Sequence, residues 1–132
     1  MTSAAPRIRP QYHFRPGPKG LQAWDVRKLI SASSALDIQQ VALGSLQEID
    51  ETWWYDDDSP TVRSIVDHMR LVRAADVSFP ILLCAEGRLM DGMHRVARAL
   101  LSNRETIAAR RFTKTPEPDF IGVAPSDLPY ED

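Results

Sequence analysis

Prolines crowd both ends of this sequence and are almost absent between them. Eight of the ten lie within the first or the last twenty of the 132 residues: Pro6, Pro10, Pro16, Pro18, Pro116, Pro118, Pro125 and Pro129. Because proline lacks a backbone N–H group and disrupts helices, the ends are predicted to be extended arms rather than core elements. Regular secondary structure is therefore expected between them.

Length, composition and charge indicate one small globular domain. Hydrophobic residues make up 43% of the chain and charged residues 26%, so disorder of the whole chain is not expected. The net charge of −2 gives no support for binding duplex DNA through its phosphates. The sequence shows no signal peptide and no membrane-spanning run, which favours a cytoplasmic protein without membrane contact. The single cysteine, Cys84, lies in an apolar run and is expected to be a small buried side chain.

Apolar periodicity in the middle of the chain predicts an α+β fold, a small mixed sheet flanked by helices. Asp25 is predicted to cap a short helix, and the first turn of a longer helix is placed at Ser59-Pro60. The other predicted elements, in chain order, are strand 38–43, strand 81–84, turn 86–87, strand 88–90, helix 93–101 and strand 106–112. The predicted segments are an arm with a short helix (1–36), the domain body (37–113) and a proline-rich tail (114–132).

The long predicted helix has an apolar face and a polar face. The apolar residues recur at helical spacing and are expected to pack inward: Val62, Ile65, Val66, Met69 and Val72. The polar residues are expected mostly in water: Arg63, Asp67, His68 and Arg70. No metal-ligand spacing links His68 to the other histidines.

The segment Asp91-Gly92-Met93-His94-Arg95 combines a strand end, a glycine and a helix start. The first N–H groups of a helix have no internal partner and lie at the positive end of its dipole, so they favour anions. Gly92 is expected to let a phosphate approach the backbone, while Arg95 and His94 donate hydrogen bonds to its oxygens. Simpler interpretations stay open: Asp91 as helix cap or metal contact, Gly92 as a tight turn, Arg95 paired with a carboxylate, and His94 as a core histidine.

These residues carry a resemblance to the ParB/sulfiredoxin-like superfamily. Gly92-Met93-His94-Arg95 resembles the Gly-Glu-Arg-Arg box of ParB and the Gly-Cys-His-Arg box of sulfiredoxins, and the Asp-Gly-x-His-Arg box of free-serine kinases is similar to 91–95. The likeness extends over 41–112. It implies a bacterial nucleotide-binding domain over 37–113 that binds ATP or CTP with Mg²⁺. The residues that would hold the nucleotide phosphates are Gly92, Met93, His94 and Arg95.

The resemblance leaves the activity open. Met93 stands at the sulfiredoxin cysteine position, and a thioether is no thiolate nucleophile, so sulfiredoxin activity is not expected. If the protein is an enzyme, a phosphotransferase or NTPase is the expected class, with Asp91 and His94 as catalytic candidates. The alternative is a non-catalytic ParB-like module that binds DNA or a protein partner. Which nucleotide, which second substrate and which oligomeric state apply do not follow from the sequence.

Two further groups of residues have competing interpretations. The run Asp56-Asp57-Asp58, with Glu48 and Glu51, could hold Mg²⁺ or supply a general base, but such a run is more often a solvated loop. Trp53 and Trp54 could stack on a nucleobase, whereas packing of at least one of them against the core is the expected outcome. No specific metal-ligand set is predicted.

Overall fold

A computed structural model of the chain describes residues 11–55 and 59–130. Within these ranges the elements follow in chain order: β1 (Tyr12–Arg15), β2 (Gln22–Asp25), α1 (Val26–Ser33), β3 (Gln39–Ala42), α2 (Val62–Ala74), β4 (Ile81–Leu83), β5 (Leu89–Asp91), α3 (Met93–Leu101), β6 (Thr106–Arg111) and β7 (Phe120–Ile121). Short 3-10 turns occupy Leu43–Ser45, Gln47–Asp50 and Pro125–Asp127. The α+β fold class is confirmed. In the same ranges no helix is both long and apolar enough to cross a membrane.

The chain divides into two compact units. A terminal unit combines both ends of the chain, up to Ser34 and from Pro116, and a central unit comprises Ala35–Thr115. Parts of the predicted arm and of the predicted tail therefore belong to one unit. This association is not predictable from the sequence, because no local pattern links segments that lie about a hundred residues apart.

The terminal unit is built on a three-stranded antiparallel sheet, with β2 between β1 and β7. Asp25 ends β2 and caps α1, as predicted: its carboxylate accepts a hydrogen bond of 2.9 Å from the backbone N–H of Arg27. Trp24 is buried, and its indole N–H donates to the carbonyl of Pro116 at 2.8 Å. Burial, and then the Arg15 guanidinium, lower the pKa of His13 to about 4.

The central unit is built on a four-stranded mixed sheet of order β3-β6-β4-β5. Strand β4 runs parallel to β6, and the other neighbours are antiparallel. The chain leaves β4 through a tight turn to β5, enters α3 directly and returns as β6 beside β4. Because α3 forms this crossover, its first turn lies at the end of β5, and the sheet fixes its position.

The core of the central unit lies between the sheet and α3. Its buried residues are Leu43, Leu46, Ile81, Leu83, Leu89, Met93, Val96, Ala99, Ile107 and Ala109. Trp53 and Trp54 pack against this cluster, which confirms the expected role of at least one tryptophan. Cys84 is a fully buried thiol, also as predicted. Asn103, which has φ of 55°, follows the end of α3 in the left-handed conformation that often ends a helix.

Helix α2 differs from its prediction in both its start and its buried face. It begins at Val62 rather than at Ser59-Pro60, because Thr61 and Ser64 cap each other reciprocally through side chains and backbone. The predicted apolar face is mostly exposed, and Val72 is its one buried member: Val62, Ile65, Val66 and Met69 all contact solvent. The prediction that His68 lies in water is also wrong, since its side chain is partly buried.

Candidate functional site

The junction of β5 and α3 has the geometry that the sequence predicted. Strand β5 ends at Asp91, Gly92 adopts a left-handed conformation with φ of 113°, and α3 begins at Met93. Within the described residues no side chain caps this helix end. Because the first amides of a helix have no intrahelical acceptor, those of the first turn of α3 need solvent or a ligand as their hydrogen-bond partner. The interpretation of Asp91 as a side-chain cap is therefore wrong.

Gly92 is required by packing as well as by its backbone conformation. A Cβ atom at this position would lie 2.7 Å from Cγ2 of Ile81 and 3.1 Å from Nη2 of Arg95. Such distances are too short for any side chain, and a positive φ near 113° disfavours every residue but glycine. The close approach of Gly92 to β4 explains the glycine whether or not a phosphate binds beside it.

The guanidinium of Arg95 forms one ion pair and two hydrogen bonds to backbone carbonyls. Its Nη2 lies 2.8 Å from Oδ2 of Asp91, and its Nη1 donates to the carbonyls of Pro80 at 2.7 Å and Phe79 at 3.3 Å. The side chains of Arg95 and Asp91 are only 20% and 18% exposed. The guanidinium thus ties α3 to the segment before β4, and a phosphate would have to displace Asp91 to be clamped by it.

His94 belongs to a cluster of rings that the sequence did not reveal. Its Nε2 lies 3.0 Å from Nδ1 of His68, which comes from α2. The ring of Trp54 stacks on both imidazoles, with centroids 4.4 Å from His68 and 4.8 Å from His94. Tyr55 meets His68 edge-on and donates its hydroxyl to Oγ of Ser64 at 3.2 Å. We call Trp54, His68 and His94 the ring cluster.

The surroundings of His94 favour its neutral form. Burial lowers the pKa of His94, and the neighbouring His68 and then the Arg95 guanidinium lower it further. A neutral imidazole keeps one nitrogen as donor and one as acceptor, and its partner decides which is which. At neutral pH His94 is therefore a polarised hydrogen-bonding group beside the start of α3 rather than a fixed positive charge.

Comparison of the chain with protein-family models, with curated proteins and with solved structures found no match. The resemblance to ParB and sulfiredoxin rests on the sequence pattern of 41–112 and stays a hypothesis. The chemistry open to the site must therefore be inferred from its own geometry.

Met93 is a core residue. Its side chain is buried in the cluster beneath the sheet, so any contact with phosphate would use its backbone N–H. Gly92 and Met93 can therefore contribute backbone only, while His94 and Arg95 contribute side chains as well. The five residues of the motif thus lie at one junction: Asp91 ends β5, Gly92 precedes the helix, and the other three form the start of α3.

The carboxylates considered as a Mg²⁺ site divide into two groups. Glu48 and Glu51 both contact the guanidinium of Arg88, Glu48 through Nε and Glu51 through Nη2 at 3.1 Å, so they belong to a structural ion-pair network. The run 56–58 lies outside the described residues. Among the residues described, no three His, Cys, Asp or Glu side chains converge as ligands of a metal ion.

Proposed function

We propose that the start of α3 binds the phosphates of a nucleoside triphosphate, ATP or CTP. The observation that carries the proposal is an uncapped helix start, directly after Gly92, whose first turn also bears the polar side chains of His94 and Arg95. Free amides and the helix dipole attract an anion there, and a guanidinium and an imidazole on the same turn supply further donors. A cytoplasmic location belongs to the same proposal.

Binding would proceed by exchange of partners at Arg95. In the free protein this guanidinium is neutralised by Asp91, and its Nη1 is held by two carbonyls. An incoming phosphate would replace the carboxylate as the anionic partner, while the carbonyl contacts keep the guanidinium in place. Asp91, once released, is the carboxylate in this motif that could contact Mg²⁺ brought by the triphosphate.

Whether the site also catalyses a reaction is a second step of the proposal. Phosphoryl transfer depends mainly on positioning and on neutralisation of charge, which the amides and Arg95 would supply. His94 is the candidate acid–base group, because it is neutral at pH 7 and has a hydrogen-bond partner that orients its ring. A phosphotransferase or an NTPase is the enzyme class that this arrangement favours.

We expect opposite effects from two substitutions in the ion pair of the site. Asp91→Asn removes the anion that competes for Arg95, so the affinity for Mg²⁺-free ATP or CTP should rise about 3- to 10-fold. Arg95→Gln removes a charged donor, so the affinity should fall about 10-fold or more. Titration calorimetry at fixed salt measures both changes.

Exposed residues of matching charge provide the controls. Asp67→Asn on α2 and Arg104→Gln after α3 make the same charge changes on exposed side chains, and each should alter the affinity less than about twofold. If Asp91→Asn and Arg95→Gln bind like the wild type, Arg95 does not contact the phosphates. If no variant binds either nucleotide, the site is not a triphosphate site.

The alternative function is a module that binds a protein partner, and one observation favours it. The exposed apolar residues of α2 line one side of the helix, with Val62 81% exposed and Ile65 47% exposed. Exposed apolar side chains at this density are more common at protein interfaces than elsewhere on a surface. The net charge of −2 favours a protein over DNA as the partner.

A further inference from the structure

The hydrogen bond between His68 and His94 holds a single proton. The facing nitrogens lie 3.0 Å apart and the ring centroids 5.2 Å apart, so the nitrogens lie close to the line between the centroids. Two nitrogens that face each other in this way share one hydrogen, which belongs to either ring. In the neutral pair, the two remaining ring nitrogens, Nε2 of His68 and Nδ1 of His94, then present one donor and one acceptor. If the bridging proton moves to the other ring, these two roles are exchanged.

This geometry is that of a hydrogen bond rather than of a metal chelate. A zinc ion needs about 2.0–2.1 Å to each imidazole nitrogen, with both lone pairs converging on the ion. Nitrogens that face each other at 3.0 Å leave no space for an ion between them. The ring cluster would have to open before it could bind a metal.

The charged groups that the structure describes around the pair form no ion pair with it. Arg95 lies next to His94 and lowers its pKa, and Asp91 neutralises Arg95. Tyr55 faces His68 edge-on, and Trp54 covers both imidazoles with a ring that carries no charge. No carboxylate among the described residues forms an ion pair with either histidine. Within these parts of the chain, a further proton on the neutral pair would have no carboxylate as its ion-pair partner.

We propose that the His68–His94 pair takes up a proton when a phosphate-bearing anion binds at the start of α3, so that binding at this site is coupled to protonation. The inference rests on the proposed function. The arriving anion places negative charge beside the pair, and the imidazolium then donates a charge-assisted hydrogen bond to it. The ring of Trp54 covers one face of each imidazole, and this partial burial strengthens the interaction.

The pH dependence follows from the two states of the pair. In the free protein the pKa of His94 is lowered, and a bound anion raises it. Binding takes up protons only at pH values between the pKa of His94 in the free protein and its pKa in the complex with the anion. Affinity should rise by up to about tenfold per pH unit as the pH falls through this range, and should level off below the free-state pKa.

Calorimetry in buffers of different ionisation enthalpy tests the coupling directly. Inorganic tripolyphosphate, ATP and CTP are titrated into the full chain between about pH 6 and pH 8.5, a range around the ordinary pKa of histidine, and the dependence of the heat on the buffer gives the number of protons taken up. We expect net uptake of a substantial fraction of one proton per ligand in the wild type. His94→Gln should reduce this uptake to the contribution of the ligand alone.

Substitution of His68 provides a second test of the coupling, and the outcomes distinguish the coupling from the proposed triphosphate site. His68→Gln keeps a hydrogen-bonding side chain beside His94 but cannot itself be protonated, so it should lower the proton uptake and flatten the pH profile of the affinity. Binding by the wild type with the same proton count as His94→Gln would overturn the coupling and leave the triphosphate site standing. Absence of binding at every pH would overturn both, and the wild-type proton count is decisive even if His68→Gln fails to fold.

Discussion

Gly92→Ala should destabilise the protein by about 2–4 kcal/mol, the largest effect that we expect from a single methyl group in this chain. The new Cβ would lie 2.7 Å from Cγ2 of Ile81, which is fully buried in β4. Strand β4 cannot retreat easily, because it is paired on both sides, with β6 and with β5. The positive φ of 113° adds backbone strain to this steric clash.

Urea denaturation of the full chain measures the free energy of unfolding of this variant. Gly44→Ala is the matched control: a methyl group on Gly44 would meet no atom within 4 Å, and Gly44 has no left-handed φ, so its substitution should change stability by less than about 0.5 kcal/mol. Equal stability of the two variants would contradict the close packing of Gly92 against β4.

Glu48→Gln should cost about 2–3 kcal/mol. Glu48 is 2% exposed, and its Oε2 accepts from Nε of Arg88 and from the backbone N–H of Leu89 at 3.2 Å. Its Oε1 is also buried and has no hydrogen-bond partner among the described residues. An amide would lose the charge that holds Arg88 and would bury a polar N–H₂ group at a position where the carboxylate has no partner in the described residues.

Glu51→Gln provides the comparison for Glu48→Gln on the same guanidinium. Glu51 contacts Nη2 of Arg88 at 3.1 Å but is 42% exposed, so its substitution should change stability by at most about 0.5 kcal/mol. Thermal and urea unfolding of both variants give the two differences. A Glu48→Gln protein as stable as Glu51→Gln would show that burial of Glu48 contributes nothing to the fold.

The sequence predicts best what short-range signals determine. The start of α3 at Met93, the turn between β4 and β5 and the cap at Asp25 all depend on residues within one turn of each other, and all three are confirmed. The left-handed conformation of Gly92, with φ of 113°, is a finding of the structure. The packing of Gly92 against Ile81 could not be read from the sequence, because Ile81 is brought there by the pairing of β4 with β5.

The ring cluster could not be predicted from spacing. His68 and His94 are separated by 26 residues and lie on different helices, and the apolar residues of α2 suggested that His68 faced water. In the structure, contacts to His94 and Trp54 hold His68, and these come from other segments of the central unit. The only local sign is the aromatic run that ends at Tyr55, shortly before α2, since Tyr55 contacts both Ser64 and His68.

The pairing of the chain ends is a second feature that local patterns could not show. The prediction that both ends are extended arms rather than core elements is wrong for their described residues, because β1, β2 and β7 form a sheet there and Trp24 is buried. Proline disfavours helix but leaves the chain free to form a strand where its backbone N–H is not needed. Strand β2 pairs with β7, with Ala23 opposite Phe120. The backbone N–H of Asp25 also donates a hydrogen bond to the carboxylate of Asp119. Partners so far apart in sequence carry no signal in either segment alone.

Amide chemical-shift mapping tests phosphate binding at the start of α3 most directly. In ¹H–¹⁵N spectra of the full chain titrated with Mg²⁺-free ATP and CTP, we expect saturable shifts of the backbone amides of Met93, His94 and Arg95, larger than those elsewhere. Tripolyphosphate alone should shift the same three amides, because phosphate recognition is the common element. Unchanged amides at the start of α3, while either nucleotide binds elsewhere or does not bind at all, would contradict a phosphate site there.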